Sequence, residues 1–254
     1  TQRNFDLGGW PNFTGGGQKL KLSAGLGSRR EQFDLKFVEP WFLDRKLSLG
    51  VDLFLTRRDY TDYNEDKVGA AVSLGKALPG PNRVTLRYKI LSADITDVAD
   101  TNAYVIVDTG ETFFYVEEEN SVKSSLSLQF THDTRSHPYI PTRGNRVTMR
   151  GELAGSILGG DRDIYELELG TGQYMSPWLD HVISFRTLWD VVRYYGDTDE
   201  LSLTERLFIG GGRTLRGYEW RDVGPKAVRA DGSSLGHRPV GGSTRAMAKA
   251  EYTI

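Results

Sequence analysis

Along most of this chain apolar and polar residues alternate one by one. Residues 47–56, LSLGVDLFLT, put Leu47, Leu49, Val51, Leu53 and Leu55 on one face and Ser48, Gly50, Asp52, Phe54 and Thr56 on the other. Residues 18–27, QKLKLSAGLG, set Leu20, Leu22, Ala24 and Leu26 against Lys19, Lys21, Ser23 and Gly25. In 83–90, RVTLRYKI, Val84, Leu86, Tyr88 and Ile90 oppose Arg83, Thr85, Arg87 and Lys89. The same period of two runs through 31–41, 67–78, 122–132, 145–155, 163–175, 182–194 and 245–254. Side chains on a strand point alternately to opposite faces, so the pattern predicts about ten strands and an all-β chain. No stretch has the spacing of an amphipathic helix.

Alternation alone fits two architectures. A soluble β-sandwich alternates too, with its polar face in bulk water. The connections favour a barrel. In order they are 29–30, 42–46, 60–66, 79–82, 96–121, 133–144, 156–162, 176–181 and 195–244. In an up-and-down meander every second connection lies at the same end. One end therefore collects the two longest loops, and the other collects mostly short turns, including PGPN and SPWLD. Long loops at one end and short turns at the other is the layout of an antiparallel transmembrane barrel. Aromatics near strand ends (Trp41, Phe42, Tyr60, Tyr63, Trp178, Tyr194, Tyr195) fit interfacial girdles.

Composition narrows the chemistry. With 254 residues the chain holds one large β domain or two smaller ones. A net charge of -2 gives no reason to expect a nucleic-acid partner. Without cysteine there is no disulfide, thiolate metal site or cysteine nucleophile. Mean hydropathy is -0.44, which would suggest a water-soluble chain. A membrane strand, however, needs only every second residue apolar over about 9–11 positions. Thr1 opens no signal peptide, so the numbering begins after processing or inside a longer chain.

The last long loop, 195–244, carries GGGRTLRGYEWRDVGP at 210–225 and little strand pattern of its own. Loops that long in a compact domain are usually functional or disordered. The GG…LRGY element followed by GP resembles the BamA-like outer-membrane assembly factors. Three further stretches resemble the same family, in the same order: GWPNFTGGGQKLKLSAGLGSRREQFDLKFVEPWF at 9–42, DTRSHPYIPTRGNRV at 133–147 and PVGGSTRAMAKAEYTI at 239–254. The RGY-type loop is shared with secretion translocators, TamA-like factors and organelle import pores. EPWF and DTRSHPYIPTRG favour the assembly branch.

The resemblance implies a sixteen-stranded transmembrane antiparallel up-and-down β-barrel. Residues 1–254 would supply about ten contiguous strands, roughly the third to the twelfth. The remaining strands and the periplasmic POTRA domains would lie outside the chain. The loop 195–244 would fold back into the lumen. There Arg216, a planar five-donor cation, needs a carboxylate, and the resemblance places that partner on the wall just after the loop, at Glu251. Alternation puts Glu251 on the lumen side, with Ala246, Ala248, Ala250 and Tyr252 facing lipid. Gly217 would permit a positive φ or a close approach, Tyr218 would pack on the wall, and Gly210, Gly211 and Gly212 would turn the chain inward. A solvated Arg216 on an exposed loop is the plainer reading of the local sequence.

The implied function is folding and insertion of outer-membrane proteins in the bacterial outer membrane. Unfolded clients, membrane lipid and accessory lipoproteins of an assembly complex would be the partners. The alternatives are a secretion translocator of the same superfamily, a passive porin, or a soluble sandwich acting as a binding module. No cofactor, metal or enzyme activity is implied, and no nucleophile triad, P-loop or paired-carboxylate site stands out. At 133–144, Asp133 and Arg135 could pair across a periplasmic turn stiffened by Pro138, Pro141 and Gly144. None of the four histidines, His132, His137, His181 and His237, has zinc spacing. Glu117, Glu118 and Glu119 are expected in a solvated external loop, with a calcium site the less favoured reading.

Overall fold

A computed structural model describes residues 17–60, 63–98, 103–114, 118–179, 181–198, 200–212, 214–230 and 237–253. Ten strands form one antiparallel sheet: β1 (Lys19–Gly27), β2 (Arg30–Glu39), β3 (Leu47–Asp59), β4 (Asn64–Ala77), β5 (Asn82–Thr96), β8 (Glu119–Asp133), β9 (Gly144–Ala154), β10 (Ile164–Met175), β11 (Val182–Tyr194) and β14 (Thr244–Thr253). Each pairs with its neighbour in chain order, and the sheet is open, so the architecture is a partial up-and-down barrel. All ten strands expected from the alternation are present. Several run further at the long-loop end than their apolar residues suggested. There β3 and β4 continue through charged positions, and Arg57 Nε donates to Asp66 Oδ1 at 3.0 Å across the pair. The second strand stops at Glu39, two residues early, because Pro40 has no N–H for the ladder.

The sheet is polar on one side and apolar on the other, and burial runs opposite to a soluble protein. Leu22, Leu55, Val68, Leu74, Leu86, Leu128 and Phe185 are exposed, whereas Asp52, Glu65, Glu152, Ser184 and Asp190 are buried. The polar face satisfies itself by ion pairs between and along strands. Arg87 Nη2 lies 2.7 Å from Asp52, Arg150 Nη2 lies 2.8 Å from Glu166, and Glu152 faces Lys123 at 3.4 Å and Arg150 at 3.3 Å. An apolar outer face this continuous is the surface of a barrel solvated by lipid. No helix among the described residues is long and apolar enough to cross a membrane.

The two long loops differ from the pattern-poor segments expected. Short strands β6 (Ala103–Ile106), β7 (Thr112–Phe114), β12 (Lys226–Arg229) and β13 (Arg238–Pro239) build a second sheet in the order β13-β12-β6-β7. It joins the two loops directly, with Val228 paired to Val105, and it buries Tyr104, Ala227 and Val240 together. Strands of two to four residues carry too little alternation to be read locally, and their pairing is set by the barrel that brings the loop ends together. Glu119, expected in a solvated loop, instead opens β8 and is ion-paired to Arg162. Glu117 lies outside the described residues.

Candidate functional site

The long loop leaves β11 under tight control. Tyr195 donates its N–H to the carbonyl of Asp163 at 2.9 Å and its hydroxyl to the carbonyl of Ala154 at 2.8 Å. The Asp163 carboxylate accepts from the N–H of Ser156 at 2.6 Å and of Asp197 at 3.2 Å, tying this loop to the β9–β10 connection. The chain then lies on the polar face of the sheet. Leu201 packs with Ala154, Ile164 and Val192, and Leu203 packs with Tyr63 and Ile95. Alternation puts Ala154, Ile95, Ile164 and Val192 on that inner side, so the loop seals the inner wall at its long-loop end.

From Leu207 the loop becomes an irregular hairpin. Leu207 and Gly242 exchange backbone hydrogen bonds at 2.8 and 2.9 Å, Val223 N donates to Ile209 O at 3.0 Å, and Gly211 N donates to Tyr218 O at 3.1 Å. The Thr214 hydroxyl closes the tip, accepting from Gly210 N and donating to Gly210 O, both at 2.9 Å. Gly210 sits at φ 122°, and an added Cβ would stand 2.3 Å from the carbonyl of Glu219. Any side chain there would open the hairpin. Arg221 is held between the rings of Phe208 and Trp220, at 4.2 and 4.3 Å.

Arg216, Gly217 and Tyr218 occupy the hairpin tip. Arg216 Nη2 is 4.0 Å from Glu251 Oε1, and the arginine side chain is 80% exposed. Glu251 is engaged more closely by Lys249, at 3.3 Å, and by Arg186 on β11. The arrangement is thus a carboxylate shared by three cations, with Arg216 the loosest. Gly217 takes φ 92°, Gly211 φ 91°, and Gly212 stands in open space. Tyr218 is exposed rather than packed on the wall.

A stronger tether lies one turn back and is not evident from the loop sequence. Arg245 on β14 donates through Nε to Asp190 Oδ2 at 2.6 Å and through Nη1 to the carbonyl of Phe208 at 3.0 Å. Asp190 is fully buried. One guanidinium therefore joins two wall strands and the loop backbone. Asp190 is an acid in an apolar run, LWDVV, and the register sets it opposite Arg245; that coincidence was the available signal.

Next to this tether a cavity of about 270 Å³ separates residues 204–207 from the wall. Lys67, Lys89, Lys123, Arg162, Glu166 and Glu205 contribute to its lining. Glu205 comes from the loop, and its Oε2 is buried with no hydrogen-bond partner among the described residues. Burial pushes its carboxyl above the usual range, against the opposing pull of Lys123, Arg162 and Lys67.

At the short-turn end, Arg135 grips Asp133 through Nε and Nη2, at 2.9 and 2.8 Å, and donates from Nη1 to the Pro138 carbonyl at 2.9 Å. Gly144 takes φ 95°, with the Thr134 carbonyl 2.2 Å from where a Cβ would stand. Pro141 lies in the same turn. No group of three or more metal-ligating side chains occurs among the described residues.

The inner loop, the ten-strand meander and the apolar outer face coincide with one known family. The Omp85 superfamily domain matches residues 12–254. The chain belongs to the Omp85 superfamily. Among curated relatives it is 27% identical, over 95% of its own length, to "Outer membrane protein assembly factor BamA" of Nitratidesulfovibrio vulgaris, of which it covers 29%. It is 24% identical to "Sorting and assembly machinery component 50 homolog B" of Xenopus laevis and 22% identical to the human homolog, covering 89% of this chain and 46% of each. The crystal structure of BamA from Haemophilus ducreyi lacking POTRA domains 1–3 superposes with a TM-score of 0.77 at 20% identity, over 93% of this chain and 47% of that one. This Omp85 domain thus spans less than half of the relatives it matches. Those relatives are named as assembly components, none as an enzyme.

Proposed function

We propose that this Omp85 domain belongs to a protein that folds and inserts β-barrel proteins in the bacterial outer membrane. The observation that carries the reading is the loop hairpin braced on the inner wall of an inside-out sheet. It sits in a chain whose matched relatives are named as an outer membrane protein assembly factor and as sorting and assembly machinery components. A bacterial source is favoured by the extent of the match: the bacterial BamA aligns over 95% of this chain at 27% identity, and the sorting and assembly machinery relatives of frog, fission yeast and human align over 86–89% at 22–26%. The clients would be unfolded outer-membrane proteins, and the accessory subunits would be lipoproteins of an assembly complex. The physical basis is strand addition, in which unpaired main-chain groups of the barrel template an incoming strand. The loop acts in this scheme as a brace for the barrel wall, with Arg216 and Glu251 as its adjustable contact.

The test is client folding in proteoliposomes that contain the full-length protein, using a urea-unfolded outer-membrane barrel as client. Folding should be faster than in empty liposomes and should slow with Arg216→Ala. Equal rates with and without properly inserted protein would refute assembly. Passage of an unfolded polypeptide across the bilayer instead would identify a secretion translocator.

A further inference from the structure

The outer face of the sheet carries one built recess. Gly151 is the only glycine that the alternation places on the apolar side of the ten strands, among the described residues; Gly50, Gly69, Gly75, Gly170 and Gly172 all fall on the polar side. Directly opposite it stand Leu128 on β8 and Leu167 on β10. In the next row Phe130, Met149 and Leu169 lead to Trp189. Together these side chains frame a groove of about 270 Å³. Nothing in the fold requires the glycine. Its φ is ordinary, and an added Cβ would meet only Leu167 Cδ2, at 3.6 Å, an unstrained contact. Glycine inside a strand weakens it, and its usual causes are a bulge, a bend or close approach by another group. Neither ladder is interrupted here, which excludes a bulge, and the notch that the missing side chain leaves is open to a group approaching from outside.

Beyond the groove toward the short-turn end, a small polar group interrupts the apolar outer face, with Val147, Phe185 and Met175 around it. Thr171 and Thr187 share a hydrogen bond at 2.7 Å on the outer face, and Gln173 follows, exposed. Leu167, opposite Gly151, lies six residues from Gln173 on the same strand, which is about 20 Å of strand. At a strand tilt of about 45° this is roughly 15 Å of depth, half of a ~30 Å hydrocarbon core. The separation of the recess from the polar group thus matches the depth of one leaflet.

We propose that this groove is a phospholipid site, seating one acyl chain in the Gly151 notch with the ester and head-group region at Thr171, Thr187 and Gln173. The lipid belongs to the leaflet on the short-turn side. The recess is lined mainly by apolar side chains, with Arg150 and Glu168 also contributing, and is continuous with the lipid-facing surface, so its occupant is hydrocarbon; the polar group is one leaflet away, so the occupant is amphipathic. The inference rests on the apolar face meeting lipid and is independent of the assembly reading.

Native mass spectrometry of the detergent-purified protein with dioleoylphosphatidylethanolamine tests it. The parent should retain one lipid, and Gly151→Phe should reduce retention at least tenfold. Gly151→Leu provides the same test if the phenylalanine variant does not fold. Gln173→Leu should weaken retention several-fold by removing the polar end. Ala70→Phe, on the outer face of β4, should retain lipid as the parent does. Equal retention in Gly151→Phe and parent overturns the site, and equal loss in Ala70→Phe reduces it to ordinary annular lipid. Unchanged retention with slowed client folding in Gly151→Phe would make the notch a seat for polypeptide, which also overturns the proposal.

Discussion

Arg245 and Arg216 both connect the inner loop to the wall, and their environments differ enough to rank them. Asp190 is fully buried, and Arg245 is its direct cationic partner, with 21% of the arginine side chain exposed. Asp190→Ala would leave Arg245 largely enclosed without its carboxylate and would loosen its hold on the Phe208 carbonyl. Breaking a buried pair on one side costs about 3–5 kcal/mol. Arg216→Ala removes an ion pair at 4.0 Å from a side chain that is 80% exposed, an interaction of about 0–1 kcal/mol. Urea unfolding in detergent, read by tryptophan fluorescence and by heat-modifiable gel mobility, separates the two. With a slope of about 1–3 kcal/mol per molar urea, Asp190→Ala should lower the midpoint by on the order of 1–5 M, about 2 M at the centre of both ranges. Arg216→Ala should lower it by a few tenths of a molar. Limited proteolysis of residues 200–225 should show the same order, with the loop cut first in Asp190→Ala. A midpoint loss in Arg216→Ala equal to or larger than that in Asp190→Ala would refute the ranking, and with it the claim that Arg245 is the principal tether.

Glu205 supplies a pH dependence. Burial raises its carboxyl in the folded state, so folding binds the proton more tightly than the unfolded chain does. Stability from this group is present below the ordinary carboxylate range and is lost as pH rises through the raised value. Glu205→Gln should therefore stabilise loop docking at pH 7 and make no difference well below pH ~4, as read by loop proteolysis at both pH values; a destabilised loop at pH 7 would contradict this. Asp163→Ala removes the acceptor for the Ser156 and Asp197 N–H groups and should cost about 1–3 kcal/mol. Its first sign should be faster amide exchange at 155–157 and 195–198, with β1–β5 unaffected.

The wall was legible because a lipid-facing strand must alternate, and a one-residue slip would turn its whole apolar set inward. The inward placement of Glu251 followed from that parity alone. Strand length was less legible, since Arg57, Arg58 and Asp59 continue β3 beyond the apolar band, where alternation no longer carries a polarity signal. The loop was legible as a motif and not as a geometry. Glycines at 210, 211 and 217 announce turns, but the exposure of Arg216 depends on how far the hairpin reaches. The Arg245 tether was hidden because one acceptor is a backbone carbonyl and the other lies 55 positions away in sequence.

The small sheet that joins the two long loops has a kinetic consequence. β6 and β12 are separated by about 120 residues of chain, and pairings that distant are slow because the intervening loop must close first. Here that closure is accomplished by β8, β9, β10 and β11, which return the chain to the same end. The inter-loop ladder can zip only after those strands have taken their register, which makes it a late folding event. A wall with a slipped or missing strand would displace the two halves of the ladder and leave them unpaired. Formation of the cap is in that sense a proofreading step on the barrel beneath it.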